Sequence, residues 1–256
     1  MRIGVFRTDP VWLMHPILKC ICLVAALLSA EVGAAEPEYS VLLIGNSHSS
    51  RANLPGVLEQ LLETDPGSTA SVKAAGHWAF LAERLEDNKT QKMLGSRRWT
   101  HVVLQAQKYS TSGRYTYPTD AAEEWIRRSR QVGAQPILFP EWARSGHAEE
   151  AARIQRLHLE IAAREPACVA PIGLAWDILL NTNPGIKLHD RDGNHANRTG
   201  AALTAYVLYA VITGHSPKDL PKVKIRSVPA DTQERLKTAA VQAISLVPPC
   251  LSQRLP

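Results

Sequence analysis

The sequence lacks several features, and each absence narrows what the protein can be. After residue 35 no stretch is long and apolar enough to span a bilayer as a helix. The basic residues are scattered, as in Arg97-Arg98 and Arg127-Arg128, and form no long run. They read as solvated helix faces and not as a nucleic-acid footprint. No internal repeat, low-complexity segment or dividing linker interrupts the chain, which points to one domain with a substantial core. Cysteine is scarce: of four in 256 residues, two lie within the first 35, leaving Cys168 and Cys250 as an isolated pair. In an oxidising compartment such a pair forms a disulfide, and otherwise it stands as two separate thiols.

Residues 1–35 have the pattern of an export signal. Arg2, Arg7 and Lys19 supply positive charge, and Ile21 to Ala30 is an apolar run too short to span a bilayer comfortably. Gly33, Ala34 and Ala35 then give a small-residue exit before Glu36-Pro37, placing cleavage after Ala34 or Ala35. Lys19 before Cys20 does not suit a lipoprotein site. Removing residues 1–35 lowers the formal charge only from +5 to +4. The expected product is a periplasmic or secreted domain over 36–256, with no stable membrane insertion after cleavage.

From Tyr39 onward strand and helix patterns alternate. Strands are expected at Tyr39–Ile44, Ser71–Ala75, His101–Gln105, Pro136–Phe139 and Val169–Pro171. Helices are expected at Leu54–Glu63, Phe80–Leu94 with a break near Asn88, Asp120–Val132, Ala148–Arg164, Asn197–Thr213 and Asp231–Leu246. Strands separated by helices imply a parallel sheet covered on both faces, an α/β fold.

Two stretches carry candidate chemistry. In Val41-Leu42-Leu43-Ile44-Gly45-Asn46-Ser47-His48-Ser49, an apolar strand runs into a glycine and then a serine, just ahead of a helix. That places the Ser47 hydroxyl at the carboxyl edge of a sheet, where open α/β folds bind ligands. The plainer reading of Ser47 is a turn residue or helix cap. In His189-Asp190-Arg191-Asp192-Gly193-Asn194-His195-Ala196-Asn197, Asp192 and His195 are three apart in a turn leading into a helix. A carboxylate at that spacing can fix the imidazole tautomer and stabilise the imidazolium formed on proton transfer. A calcium loop starting at Asp190 fails, because His195 stands where glycine is needed and Ala201 where glutamate is needed. Metal ligation by His189, Asp192 and His195 is the weaker alternative. Asn194 or Asn197 can cap the following helix without conflict. A nucleophile elbow is disfavoured, since Ser49 replaces its second glycine.

Together these stretches resemble the SGNH/GDSL hydrolase superfamily. Gly45-Asn46-Ser47 matches its Gly-Asp-Ser-like first block, and Asp192-Gly193-Asn194-His195 matches its last block, Asp-x-x-His. The segment Thr199–Tyr206, with Thr213–Pro217, looks like a subgroup of exported bacterial members. The resemblance implies a flavodoxin-like three-layer α/β/α sandwich around a mainly parallel five-stranded sheet. It also implies a serine esterase with Ser47 as nucleophile, His195 as general base and Asp192 as orienter. The Ser47 and Gly76 backbone N–H groups and the Gln107 amide would form the oxyanion hole. After the third strand the family carries Gly-x-Asn-Asp where this chain has Gln105-Ala106-Gln107-Lys108, so Gln107 takes the asparagine position. No cofactor or metal is implied. The expected substrate is a small-molecule or glycan ester, with removal of O-acetyl groups from carbohydrate the leading reading. An O-acetyltransferase using the same site and a non-catalytic carbohydrate- or envelope-binding module are the alternatives. Trp78, Trp142 and Trp176 suit either a sugar cleft or the core. His48 and His77 read as local packing residues.

Overall fold

In the computed structural model, residues 37–65, 67–75 and 79–250 are described, with Met1 and Gly4. The rest of the expected signal segment 1–35, and Gly76, His77 and Trp78, lie outside the described residues. The architecture that follows is that of the unit Glu36–Pro256.

The strands are β1 (Tyr39–Ile44), β2 (Ala70–Ala75), β3 (His101–Leu104), β4 (Gln135–Leu138) and β5 (Cys168–Val169). They form one parallel sheet in the order β2-β1-β3-β4-β5. The helices are α1 (Leu54–Glu63), α2 (Leu81–Arg84), α3 (Asn88–Leu94), α4 (Asp120–Gln131), α5 (Glu149–Arg164), α6 (Ile172–Thr182), α7 (Arg198–Thr213) and α8 (Ala230–Leu246). Alternate side chains of β1 enter opposite cores, as the two-residue period of a strand requires. Val41 and Leu43 pack with Val103, Ile137 and residues of α1, α6, α7 and α8. Leu42 and Ile44 pack with Val102, Leu104, Leu138 and residues of α2, α3 and α4. The three-layer sandwich with a five-stranded sheet is therefore present, and every strand pairing is parallel.

The break expected near Asn88 is present: Phe80–Leu94 is two helices, because the Asp87 side chain accepts the Lys89 N–H and caps a fresh start at Asn88. Two local differences from the sequence reading stand beside it. α6 carries no start signal: it follows Pro171 directly and has no side-chain cap. Its sequence IGLAWDILLNT is apolar around most of its circumference, so the one-sided stripe that marks a surface helix is weak. β5 shortens to two residues.

Helix α7 is enclosed almost throughout, from Gly200 to Ile212. Asn197 caps it by accepting the Thr199 and Gly200 N–H groups at 2.8 and 3.0 Å. Gly200 must lack a side chain, since a Cβ there would meet the Leu188 carbonyl at 2.4 Å and the Trp176 ring at 2.6 Å. Cys168 and Cys250 are joined in a disulfide. The bridge closes an 82-residue separation, and the loop-entropy model gives it about 4–5 kcal/mol.

Candidate active site

The order β2-β1-β3 places the sheet's switch point between β1 and β3, where chain connections leave in opposite directions and open a crevice at the carboxyl edge. β1 ends there at Ile44, and Gly45 and Asn46 turn the chain into a single 3₁₀ turn, Ser47–Ser49. The Asn46 side chain caps that turn by accepting the His48 N–H at 3.0 Å. Ser47 is thereby held at the mouth of the crevice, partly exposed.

The second stretch reaches the same place from the far end of the chain. Asp190 N–H donates to the His195 carbonyl at 2.7 Å, closing the 190–195 segment into a compact loop before α7. Inside it Asp192 Oδ1 accepts the backbone N–H groups of Asn194 and His195 at 3.0 and 2.9 Å. Asp192 Oδ2 accepts from His195 Nδ1 at 2.5 Å. These two backbone donors, followed by the imidazole, hold the Asp192 carboxyl far below the usual carboxylate range. A carboxylate only accepts, so His195 carries its hydrogen on Nδ1 and presents a lone pair at Nε2. Ser47 Oγ donates to that nitrogen at 2.8 Å across 148 positions of sequence. Serine, imidazole and carboxylate thus stand in a relay with the polarity that activates a hydroxyl. His189 lies apart from this relay: its Nε2 bonds the Ala143 carbonyl at 2.8 Å, and its ring meets Trp176 edge-on.

No protein-family model matches the chain, and no curated protein does. Among solved structures, a candidate SGNH hydrolase from Slackia heliotrinireducens is similar at 24% identity, over 67% of this chain and 97% of that one, with a TM-score of 0.55. A DUF4886 family protein from Bacteroides uniformis is similar over 84% of this chain and 98% of that one, at 17% identity and a TM-score of 0.66. TesA is similar over 68% of this chain and 98% of that one, at 16% identity and a TM-score of 0.51. The chain has the SGNH-hydrolase fold.

Within the SGNH fold the third block is where structure departs from the sequence reading. Gln107 does not offer its amide to the site. Its Nε2 donates to the Lys108 and Pro118 carbonyls, both at 3.0 Å, and these use its two hydrogens. The reason lies one residue earlier, where Ala106 has φ +73° and takes the left-handed turn usually left to glycine. That turn sends the chain out of β3 at a different angle from an extended continuation. The other proposed side-chain-independent donor, Gly76, lies outside the described residues. The Ser47 N–H has no acceptor among the described residues.

Gln105, with no exposed surface, turns inward instead. Its Oε1 accepts the Asn46 N–H at 2.7 Å, and its Nε2 donates to buried Glu141. Gly45 has to be glycine here, since a Cβ would sit 2.4 Å from Gln105 Oε1. His48 stacks on the His195 ring at 4.8 Å between centroids and lies tilted against Trp142 at 5.3 Å. Trp142 and Trp176 are core residues: they are 2% and 1% exposed and stack on each other at 4.1 Å. Arg51 pairs with Asp192 and Asp190 at 3.4 and 3.6 Å, adding a cation at the rim that no sequence motif signalled.

A cavity of about 730 Å³ borders the 190–193 loop, lined in part by Trp176, Asp177, Asn181, Lys187 and Asp190 but by neither Ser47 nor His195. Burial pushes the Asp177 carboxyl up to about 6. Among the described residues no group of three or more His, Cys, Asp or Glu side chains is arranged to hold a metal ion.

Proposed function

We propose that this protein is a carboxylic ester hydrolase that works through an acyl-enzyme on Ser47. The observation that carries the reading is the hydrogen bond from Ser47 Oγ to His195 Nε2, with Asp192 holding the opposite ring nitrogen. In this mechanism Ser47 Oγ attacks the ester carbonyl while His195 takes its proton, and His195 then returns the proton to the leaving alcohol. Asp192 keeps the imidazole in the productive tautomer and offsets its positive charge during transfer. The Ser47 N–H, with Gly76 as the expected second backbone donor, receives the oxyanion. A water activated by His195 releases the acid. Every step uses side chains and backbone of this chain and water.

The substrate class proposed is an O-acetylated carbohydrate. The exported-subgroup resemblance of 199–217 supports it. A screen of purified protein against short acyl esters and acetylated glycans tests it. Acetate release from glycans, with rates falling as the acyl chain lengthens, is the expected result. Acetyl transfer to a sugar acceptor exceeding hydrolysis would assign a transferase instead. Export is part of the same proposal: the Cys168–Cys250 bridge suits an oxidising compartment. Intact mass of the exported protein should show a chain starting at Ala35 or Glu36. A retained residue 1–35 segment would refute the cleavage.

A further inference from the structure

We infer that Gln105 and Glu141 are positioning residues that aim the Ser47 backbone N–H at the oxyanion by holding the peptide that precedes it. The inference rests on the esterase reading above and deepens it. It starts from two consecutive peptide groups in the nucleophile turn. The Gly45–Asn46 peptide is held at both ends: buried Arg84 donates from Nη2 to the Gly45 carbonyl at 2.8 Å, and the Asn46 N–H donates to Gln105 Oε1 at 2.7 Å. The next peptide, Asn46–Ser47, is held at its carbonyl end, where Asn46 O accepts from Ser49 N and Ser49 Oγ at 3.2 and 2.9 Å. A trans peptide points its N–H opposite its carbonyl, so fixing the Asn46 carbonyl fixes the direction of the Ser47 N–H. That N–H has no acceptor among the described residues. It is a preorganised donor beside the Ser47 hydroxyl.

Gln105 can serve this role only if its amide is oriented correctly, because a flipped amide would present N–H to the Asn46 N–H. Glu141 decides the orientation. A buried carboxylate accepts only, so it draws the Gln105 amide nitrogen to itself and leaves Oε1 facing Asn46. Glu141 Oε2 in turn lies 3.9 Å from His48 Nε2, and His48 stacks on His195. One buried carboxylate thus bonds the side chain that holds the Ser47 turn and lies beside the histidine stacked on His195. The arrangement makes a specific prediction about polarity. Gln105→Glu places a carboxylate against Glu141 and breaks the link, whereas Gln105→Glu combined with Glu141→Gln rebuilds it with the donor and acceptor exchanged. In the double variant the Asn46 N–H still finds an oxygen.

The test measures kcat and KM on a short acyl ester, with thermal melting as the fold check and fluorophosphonate labelling of Ser47 as the check on the underlying reading. Gln105→Glu should lower kcat by about 10²-fold with KM within about threefold, the pattern of a weakened oxyanion donor. Glu141→Gln should cost less than about tenfold, since its amide oxygen still accepts from Gln105. The double variant should recover to within about tenfold of wild type, a rescue that a purely structural role would not give. Should Gln105→Glu fail to fold, Glu141→Asp keeps the charge and shortens the arm, and should lower kcat at least about tenfold at unchanged KM. Wild-type kcat in folded Gln105→Glu or in Glu141→Asp, or no recovery in the double variant while wild type still labels at Ser47, overturns the positioning role alone. A wild type that neither labels at Ser47 nor turns over esters overturns the esterase reading and this role with it.

Discussion

The two halves of the site are built in opposite ways. The Asp192–His195 half is local. Asp192 is oriented by N–H groups two and three residues away, and it grips an imidazole three residues away. It sits at the surface, with the Asp192 side chain 43% exposed. The half around Ser47 is assembled from distant parts of the chain, and the side chains that support it are buried. Gln105 reaches Asn46 across 59 positions, Arg84 reaches Gly45 across 39, and Glu141 reaches Gln105 across 36. A local motif can tolerate exposure, because its geometry is set by covalent neighbours and short-range backbone bonds. The Ser47 turn at the strand end has short-range bonds at Asn46, and buried polar side chains hold it from behind as well.

The strongest test of the pairing between these halves is removal of either reacting group. Ser47→Ala and His195→Ala should each lower kcat on the order of 10⁴-fold or more, and the double variant should be no worse than the singles, because the groups act as a unit. Steady-state kinetics on one short ester checks this. Asp192→Asn comes next, with a loss on the order of 10³–10⁴-fold in kcat and a preserved melting curve. The amide can donate to Nδ1 and so favours the wrong tautomer. A Tm shift accompanying the loss would mean that the loop needs Asp192 for its fold as well as its chemistry.

A third change probes whether the exposed loop is independent of the cavity beside it. Burial favours the protonated form of Asp177, with a folded value near 6 against an ordinary value of 3.8. The sign follows: stability from this group is fully present below about pH 4 and is lost as pH rises through about 6. Asp177→Asn should therefore raise Tm at pH 8 and leave it nearly unchanged at pH 4, with kcat altered less than about threefold. The smallest expected effect is at Gln107. Because its amide is consumed by two backbone carbonyls, Gln107→Ala should change kcat by less than about threefold while lowering stability by about 1 kcal/mol. A 10²-fold kcat loss with unchanged KM would return Gln107 to the oxyanion hole.

The same contrast explains what could be read from the sequence. The five strands and the capped entry to α7 were legible because apolar runs, glycines and Asn197 are local signals. So was the Asp192-x-x-His195 unit, whose spacing already places a carboxylate beside an imidazole. Ser47 was legible through its position just past a buried strand. The oxyanion side was not. Counting positions after β3 puts Gln107 in the asparagine's place, but the direction of that side chain depends on the left-handed backbone at Ala106. Alanine gives no hint of such a turn, whereas glycine or asparagine would have. Gln105 and Glu141 were invisible for another reason: each becomes informative only beside the other and beside Gly45, and no short window contains all three. Trp142 and Trp176 looked equally suited to a cleft or a core, and only their mutual stacking under the loop separates the two. His48 read as a local packing residue, and its contact with His195 is visible only once both ends of the chain have met.

The central claim is that Ser47 is an activated nucleophile and not merely a turn residue. Intact-mass analysis after treatment with a fluorophosphonate tests it most directly, with peptide mapping to locate the adduct. Wild type should gain one adduct, on Ser47. Ser47→Ala should gain none, and His195→Ala should label at least about 10³-fold more slowly because its serine has lost the base that activates it. No adduct on wild type, or labelling of His195→Ala at the wild-type rate, would contradict the account.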